Sequence, residues 1–186
     1  GSQGCVINNN TDGKARFKSF VAYKLTSRDA TFSIKKCIDG TSQIVGKSPV
    51  DGSTAKYGVY SDKACKTKVG EIKIGEKGTG SIKLSSGTYY VKELSAPKGY
   101  ALSTKVYELK SNQTVTVYEN YQTGKINVNK TSEDKIVKDI EFKVNGSDGS
   151  AYSKKTDSNG TAEFSGLKVY DMKSGKPVTY TVSEIN

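Results

Sequence analysis

Apolar and polar residues alternate nearly one for one along most of this chain. Phe32 and Ile34 fall in phase with Lys36, then Ala55, Tyr57 and Val59 alternate in turn, and the spacing recurs over residues 69–74 and 81–84. A period of two is that of a strand, which sends successive side chains to opposite faces. The segments are short and are separated by Gly- and Asp-containing turns, as at residues 76–80 and 157–160, a spacing that predicts an all-β sandwich. Residues 87–100 read GTYYVKELSAPKGY: Tyr89, Val91 and Glu93 share one face, Tyr90 and Lys92 the other. Ala96-Pro97-Lys98-Gly99 ends this strand, because Pro donates nothing to a ladder and Gly takes turn geometry. Residues 106–109 and 114–118 supply two further strands. Ahead of the regular pattern, residues 3–12 read as loop and residues 15–25 as a strand, either the tail of a preceding region or an extra edge strand.

The pattern then restarts. Residues 124–130 repeat the phase of Phe32, Ile34 and Lys36; Ile140, Phe142 and Val144 repeat Ala55, Tyr57 and Val59; Tyr180 to Glu184 repeats Tyr89 to Glu93. Lys36 precedes Glu93 by 57 positions and Lys130 precedes Glu184 by 54, which makes an internal repeat. The expected organisation is an N-terminal segment over 1–28, a first sandwich over 29–122, and a second over 123–186 that lacks its closing strands. Gly1-Ser2 reads as an expression scar, so a fragment of a longer protein is expected.

A lysine and a glutamate carried inward with core residues are costly unless they protonate, pair or react. The plain reading is a buried Lys–Glu salt bridge. The sharper one adds an Asn or Asp on the closing strand. An apolar pocket lowers the lysine pKa and raises that of the glutamate, so that a neutral amine attacks the carboxamide while Glu shuttles protons. Ammonia leaves, and an amide joins the two side chains. Asn120 follows the last strand of the first repeat. Val115 and Val117 have the opposite parity to Asn120, so its inward placement requires Tyr118 inside or a β-bulge.

The stretch Tyr89-x-Val91-x-Glu93-Leu94-x-Ala96-Pro97-x-Gly99-Tyr100 resembles the E-box of Gram-positive pilins and surface adhesins, and residues 30–186 resemble tandem CnaB-type (SpaA-like) domains. Asn120-Tyr121-Gln122-Thr123-Gly124 is similar to the family's junction between one closing strand and the next opening strand. The resemblance implies transthyretin-like or Ig-like sandwiches in tandem, and a spontaneous intramolecular isopeptide bond in the first. Lys36 would be the nucleophile, Asn120 the acceptor and Glu93 the proton shuttle. In the second repeat Lys130 and Glu184 match, but the acceptor would lie beyond residue 186, so Lys130 is expected to stay unpaired and Glu184 idle. The implied setting is the extracellular cell wall of a Gram-positive bacterium, in a stalk whose partners are adjacent domains of the same surface protein. The alternative is an adhesive module that binds a host protein or glycan through loops 39–53 or 168–176. Those loops are mostly Gly, Ser, Lys and Asp, whereas a glycan binder usually gathers exposed aromatics.

An extracellular setting also permits disulfides. Of Cys5, Cys37 and Cys65, the expected pair is Cys37–Cys65, with free thiols as the alternative; Cys5 would then be unpaired or paired upstream. Three scattered cysteines without a histidine give no zinc site, and no cofactor or other metal is expected. The formal charge of +10 over 186 residues comes almost wholly from lysine, Arg16 and Arg28 being the two arginines. Those lysines alternate with apolar residues as in Ile72-Lys73-Ile74, the pattern of solvated strand faces and guarded edges rather than of a specific nucleic-acid reader. No apolar run is long enough to span a membrane. Without His, a nucleotide loop or a Ser- or Cys-based triad, a turnover enzyme is not expected; the chemistry foreseen is a single self-directed cross-link.

Overall fold

The computed structural model describes residues 28–185, together with the backbone of two short paired strands, β1 (Asn8–Asn9) and β2 (Ala15–Arg16). The remainder of the strand expected over 15–25, and Cys5, lie outside the described residues. The described chain is all-β.

Two four-stranded sheets face each other in the first half. One has the order β6 (Thr79–Ser85), β3 (Asp29–Ile38), β10 (Thr114–Tyr121), β8 (Tyr100–Ala101); the other is β5 (Lys68–Lys73), β4 (Lys56–Tyr60), β7 (Thr88–Ser95), β9 (Val106–Lys110). The alternation seen in the sequence is the reason they pack. Phe32, Ile34, Tyr57, Val59, Ile72, Val91, Leu109 and Val117 all turn inward and are buried in one core. Each such side chain contributes about 1.5–3 kcal/mol on burial. Tyr89 closes one side of this core with its ring edge-on to Phe32, centroids 5.0 Å apart.

One pairing positions the site. β3 and β10, the first and last long strands of this sandwich, lie side by side and parallel, in unbroken register from Ser33↔Thr114 to Ile38↔Glu119. On the facing sheet β4 and β7 are antiparallel and set Tyr57 opposite Glu93.

The second half repeats the plan. β11 (Thr123–Asn129) pairs with β14 (Thr161–Lys168), and β12 (Glu141–Gly146) lies between β13 (Ala151–Lys155) and β15 (Tyr180–Glu184). Phe142, Val144, Ala162, Phe164 and Leu167 form a separate core. The repeat holds at the level of register: Phe142 stands opposite Glu184 and Val144 opposite Val182, as Tyr57 does to Glu93 and Val59 to Val91. It also holds in the turns, where the amide of Lys36 donates to Gly78 and that of Lys130 to Gly160, both at 2.8 Å. Among the described residues β11 has no neighbour on its second edge.

The two halves touch. Val169 donates to the carbonyl of Gln122 at 3.0 Å, and Lys98 lies over the ring of Tyr170 at 5.9 Å. Gly175, at φ +72°, comes so close to Pro49 that a Cβ would sit 2.2 Å from its carbonyl oxygen, and one on Gly99 would sit 2.7 Å from the Met172 sulfur. Loop 168–176, a candidate ligand loop in the sequence, is therefore packed at this junction by Met172 and Gly175.

Candidate functional site: a buried lysine between two glutamates

Lys36 points from β3 into the core and is wholly buried, as is Glu119 from β10; Glu93, from β7 on the facing sheet, is 2% exposed. The Lys36 ammonium donates to Glu93 Oε1 at 2.5 Å and to the Tyr57 hydroxyl at 2.9 Å, and lies 5.2 Å from the Tyr57 ring centre. On its other side it touches Glu119 Oε2. Glu93 is anchored through Oε2, which accepts the backbone N–H of Ser103 at 2.8 Å. Glu119 has no such anchor: neither oxygen accepts a well-formed hydrogen bond among the described residues, although Oε2 is in contact with Lys36.

One cation faces two carboxyl groups in a dry pocket, an arrangement in which both acids are not ionised without strain. Glu119 carries the consequence. Burial pushes its pKa up to about 7, the neighbouring Glu93 pushes the same way, and Lys36 opposes both. Burial, with Glu93 and Glu119 adding to it, also drives the Tyr57 hydroxyl far above its ordinary value, so it remains a protonated donor. The site is thus an amine held between two buried glutamates, one anchored by a backbone N–H and one not.

The sequence placed Lys36 and Glu93 together, and they meet. It did not place Asn120 correctly. Asn120 is exposed and sits opposite Ala101 of β8. The unbroken register of β10 against β3 leaves no bulge to turn it, so parity carries Val117 and Glu119 inward and Asn120 outward. Glu119 is the buried neighbour of Lys36 that the sequence reading missed, and the parity of Val115 and Val117 was the signal for it.

Lys130 and Glu184 also meet, at 2.8 and 3.1 Å, but their side chains are 24% and 35% exposed. Cys37 and Cys65 are free thiols, which corrects the expected disulfide. Cys37 lies on β3, its sulfur near the carbonyl of Ser42, while Cys65 sits at φ +54° in the turn leading to β5 on the other sheet, its sulfur near the carbonyl of Lys63. Beside loop 39–53 a shallow cleft of about 580 Å³ is lined by Asp39, Gly40, Thr41, Ser42 and Tyr118, with one aromatic among them. No helix of the described residues is long and apolar enough to cross a membrane.

Two facing sheets, with the first and last long strands paired in parallel within one of them and a lysine and an acid sealed between the sheets, make a prealbumin-like β-sandwich domain. Residues 28–122 match the family model SpaA, described as a prealbumin-like fold domain, and the chain belongs to that family. A 70-residue stretch is 41% identical to the trypsin-resistant surface T6 protein of Streptococcus pyogenes serotype M6, covering 37% of this chain and 12% of that protein. The fold is similar to that of the Bacillus anthracis TIE protein, with a TM-score of 0.53, 21% identity, and coverage of 85% of this chain and 28% of the other. This chain thus spans a small part of the length of each.

Proposed function

We propose that this chain is a structural segment in the stalk of a cell-wall-anchored surface adhesin or pilin of a Gram-positive bacterium, displayed outside the cell beside further domains of the same protein. Its first sandwich is held by a self-made isopeptide bond from Lys36 to the closing strand β10, with Glu93 as the proton shuttle. The reaction happens once per molecule, so the chain is not a turnover enzyme. The observation that carries this reading is the dry contact of Lys36 with acidic groups from both β7 and β10. Family membership and the likeness to a streptococcal surface protein support the setting. The second sandwich has the lysine and the glutamate, and Lys130 remains a free amine in this chain.

Intact-mass measurement tests the proposal. The purified protein should be lighter than its sequence by one small leaving molecule, and Glu93→Ala should restore the full mass in a folded chain. A wild-type chain of full mass would show that no bond forms.

A further inference from the structure

The geometry points to Glu119, not Asn120, as the residue to which Lys36 becomes bonded, so that the bond forms with loss of water rather than ammonia. This inference rests on the cross-link proposed above and concerns its acceptor.

Three observations lead to it. Glu119 Oε2 is in contact with the Lys36 nitrogen within a pocket where both side chains are wholly buried. Asn120 lies on the outward face of the same strand, and the register of β10 on β3 is unbroken up to Glu119, so bringing its carboxamide inward would require a one-residue slip that turns Val117 out of the core. The two glutamates are also held differently. Ser103 fixes Glu93 in place by donating its backbone N–H to Oε2, as suits a proton shuttle. Glu119 lacks a well-formed hydrogen bond at either oxygen, and burial holds it towards the protonated form, in which the carbonyl carbon is open to an amine.

The step balances. Lys36 passes a proton to Glu93 and becomes a neutral amine. Its nitrogen adds to Cδ of the Glu119 carboxylic acid, forming the C–N bond. Glu93 protonates the departing hydroxyl and recovers a proton from the nitrogen. The C–OH bond breaks, one water leaves, and a Lys36–Glu119 amide remains. No oxidant, reductant or metal takes part. The Tyr57 hydroxyl holds the amine in place between the acids.

High-resolution intact mass, with tandem mass spectrometry of proteolytic fragments, tests the assignment on the full chain. The expected result is a deficit of one water, a branched peptide joining Lys36 to Glu119, an unchanged deficit in Asn120→Ala, and full mass in Glu119→Ala. In Glu119→Gln the same attack would expel ammonia, so a changed leaving group there supports the assignment without depending on a destabilised variant. A deficit of one ammonia in wild type, or its loss in Asn120→Ala, would overturn the acceptor while leaving the stalk reading intact. Full mass in wild type would overturn both.

Discussion

Tyr57 and Phe142 hold the same place in the two sandwiches, each the cross-strand partner of the inward glutamate, Glu93 in one and Glu184 in the other. They differ by one hydroxyl. Tyr57 accepts a hydrogen bond from Lys36, whereas Phe142 has nothing to offer Lys130. The lysine–glutamate pair is sealed in the first sandwich and partly wet in the second.

That difference predicts how the two lysines meet an amine-reactive reagent. In the native chain Lys130 should be acetylated and Lys36 should not. In concentrated guanidinium the proposed amide keeps Lys36 unlabelled, while a mere ion pair exposes it. Peptide mapping of the denatured, labelled protein separates the two, and an acetylated Lys36 there would sink the bond.

The pairs should also differ in what they contribute to stability. Lys130→Ala removes a part-exposed ion pair and should cost less than about 1 kcal/mol. Lys36→Met/Glu93→Gln/Glu119→Leu removes the proposed cross-link together with both buried acids that Lys36 faces, so no buried charge is left without its partner. By the chain-entropy relation, a closed loop covering most of the first sandwich is worth about 4–5 kcal/mol. Urea unfolding of the two variants against wild type measures both, and equal midpoints would rule out the loop.

Glu119 sets a pH dependence wherever the bond is blocked. In Glu93→Gln the largest cause of its raised pKa, burial, is still present. A folded-state pKa above the unfolded one means that the native state keeps a proton which the unfolded chain releases. Stability should therefore be greatest below the ordinary carboxyl value of 4.5 and fall as pH rises above it. Thermal denaturation across that range should show the fall, and adding Glu119→Gln should flatten it. A rise over the same window would contradict the burial of an acidic Glu119.

The junction between the halves depends on Gly175. Its positive φ and its approach to Pro49 leave no room for a side chain, so Gly175→Val should loosen loop 168–176 at a cost of about 1–3 kcal/mol. The amide of Val169, bonded to Gln122, should then lose hydrogen-exchange protection while the amides of β3 and β10 keep theirs. Unchanged protection at Val169 would show that the contact does not hold the loop.

Much of the fold was legible because each long inward strand carries large apolar residues at strict alternation. Phe32, Ile34, Tyr57, Val59 and Val91 announced their faces, and Lys36 and Glu93 followed by parity. β13 was not read: in Ala151-Tyr152-Ser153-Lys154-Lys155 only Tyr152 packs on the core, too little apolar signal to mark a strand. Asn120 was expected to face inward because the resemblance drew attention to an amide at the end of the strand, whereas the backbone pleat decides which neighbour turns inward. A carboxyl group beside a lysine and another carboxyl group is an improbable core residue on composition alone, and only its register with Val117 reveals it. The disulfide was misread because an extracellular setting permits a bond without placing the sulfurs, and here Cys37 lies on β3 and Cys65 in the turn before β5 of the other sheet.

The parallel pairing of β3 with β10 has a further consequence in the proposed stalk, where the sandwich would be pulled from both ends. The chain enters this sandwich at the start of β3 and leaves it at the end of β10, so a pull on the two ends drags these neighbours past each other along their length. Every hydrogen bond from Ser33↔Thr114 to Ile38↔Glu119 then resists at once, in shear, rather than one after another as in a zipper. The Lys36 and Glu119 side chains meet near the exit end of that pair. A covalent tie there would carry tension along β3 and straight out through the last residues of β10, bypassing everything folded between them.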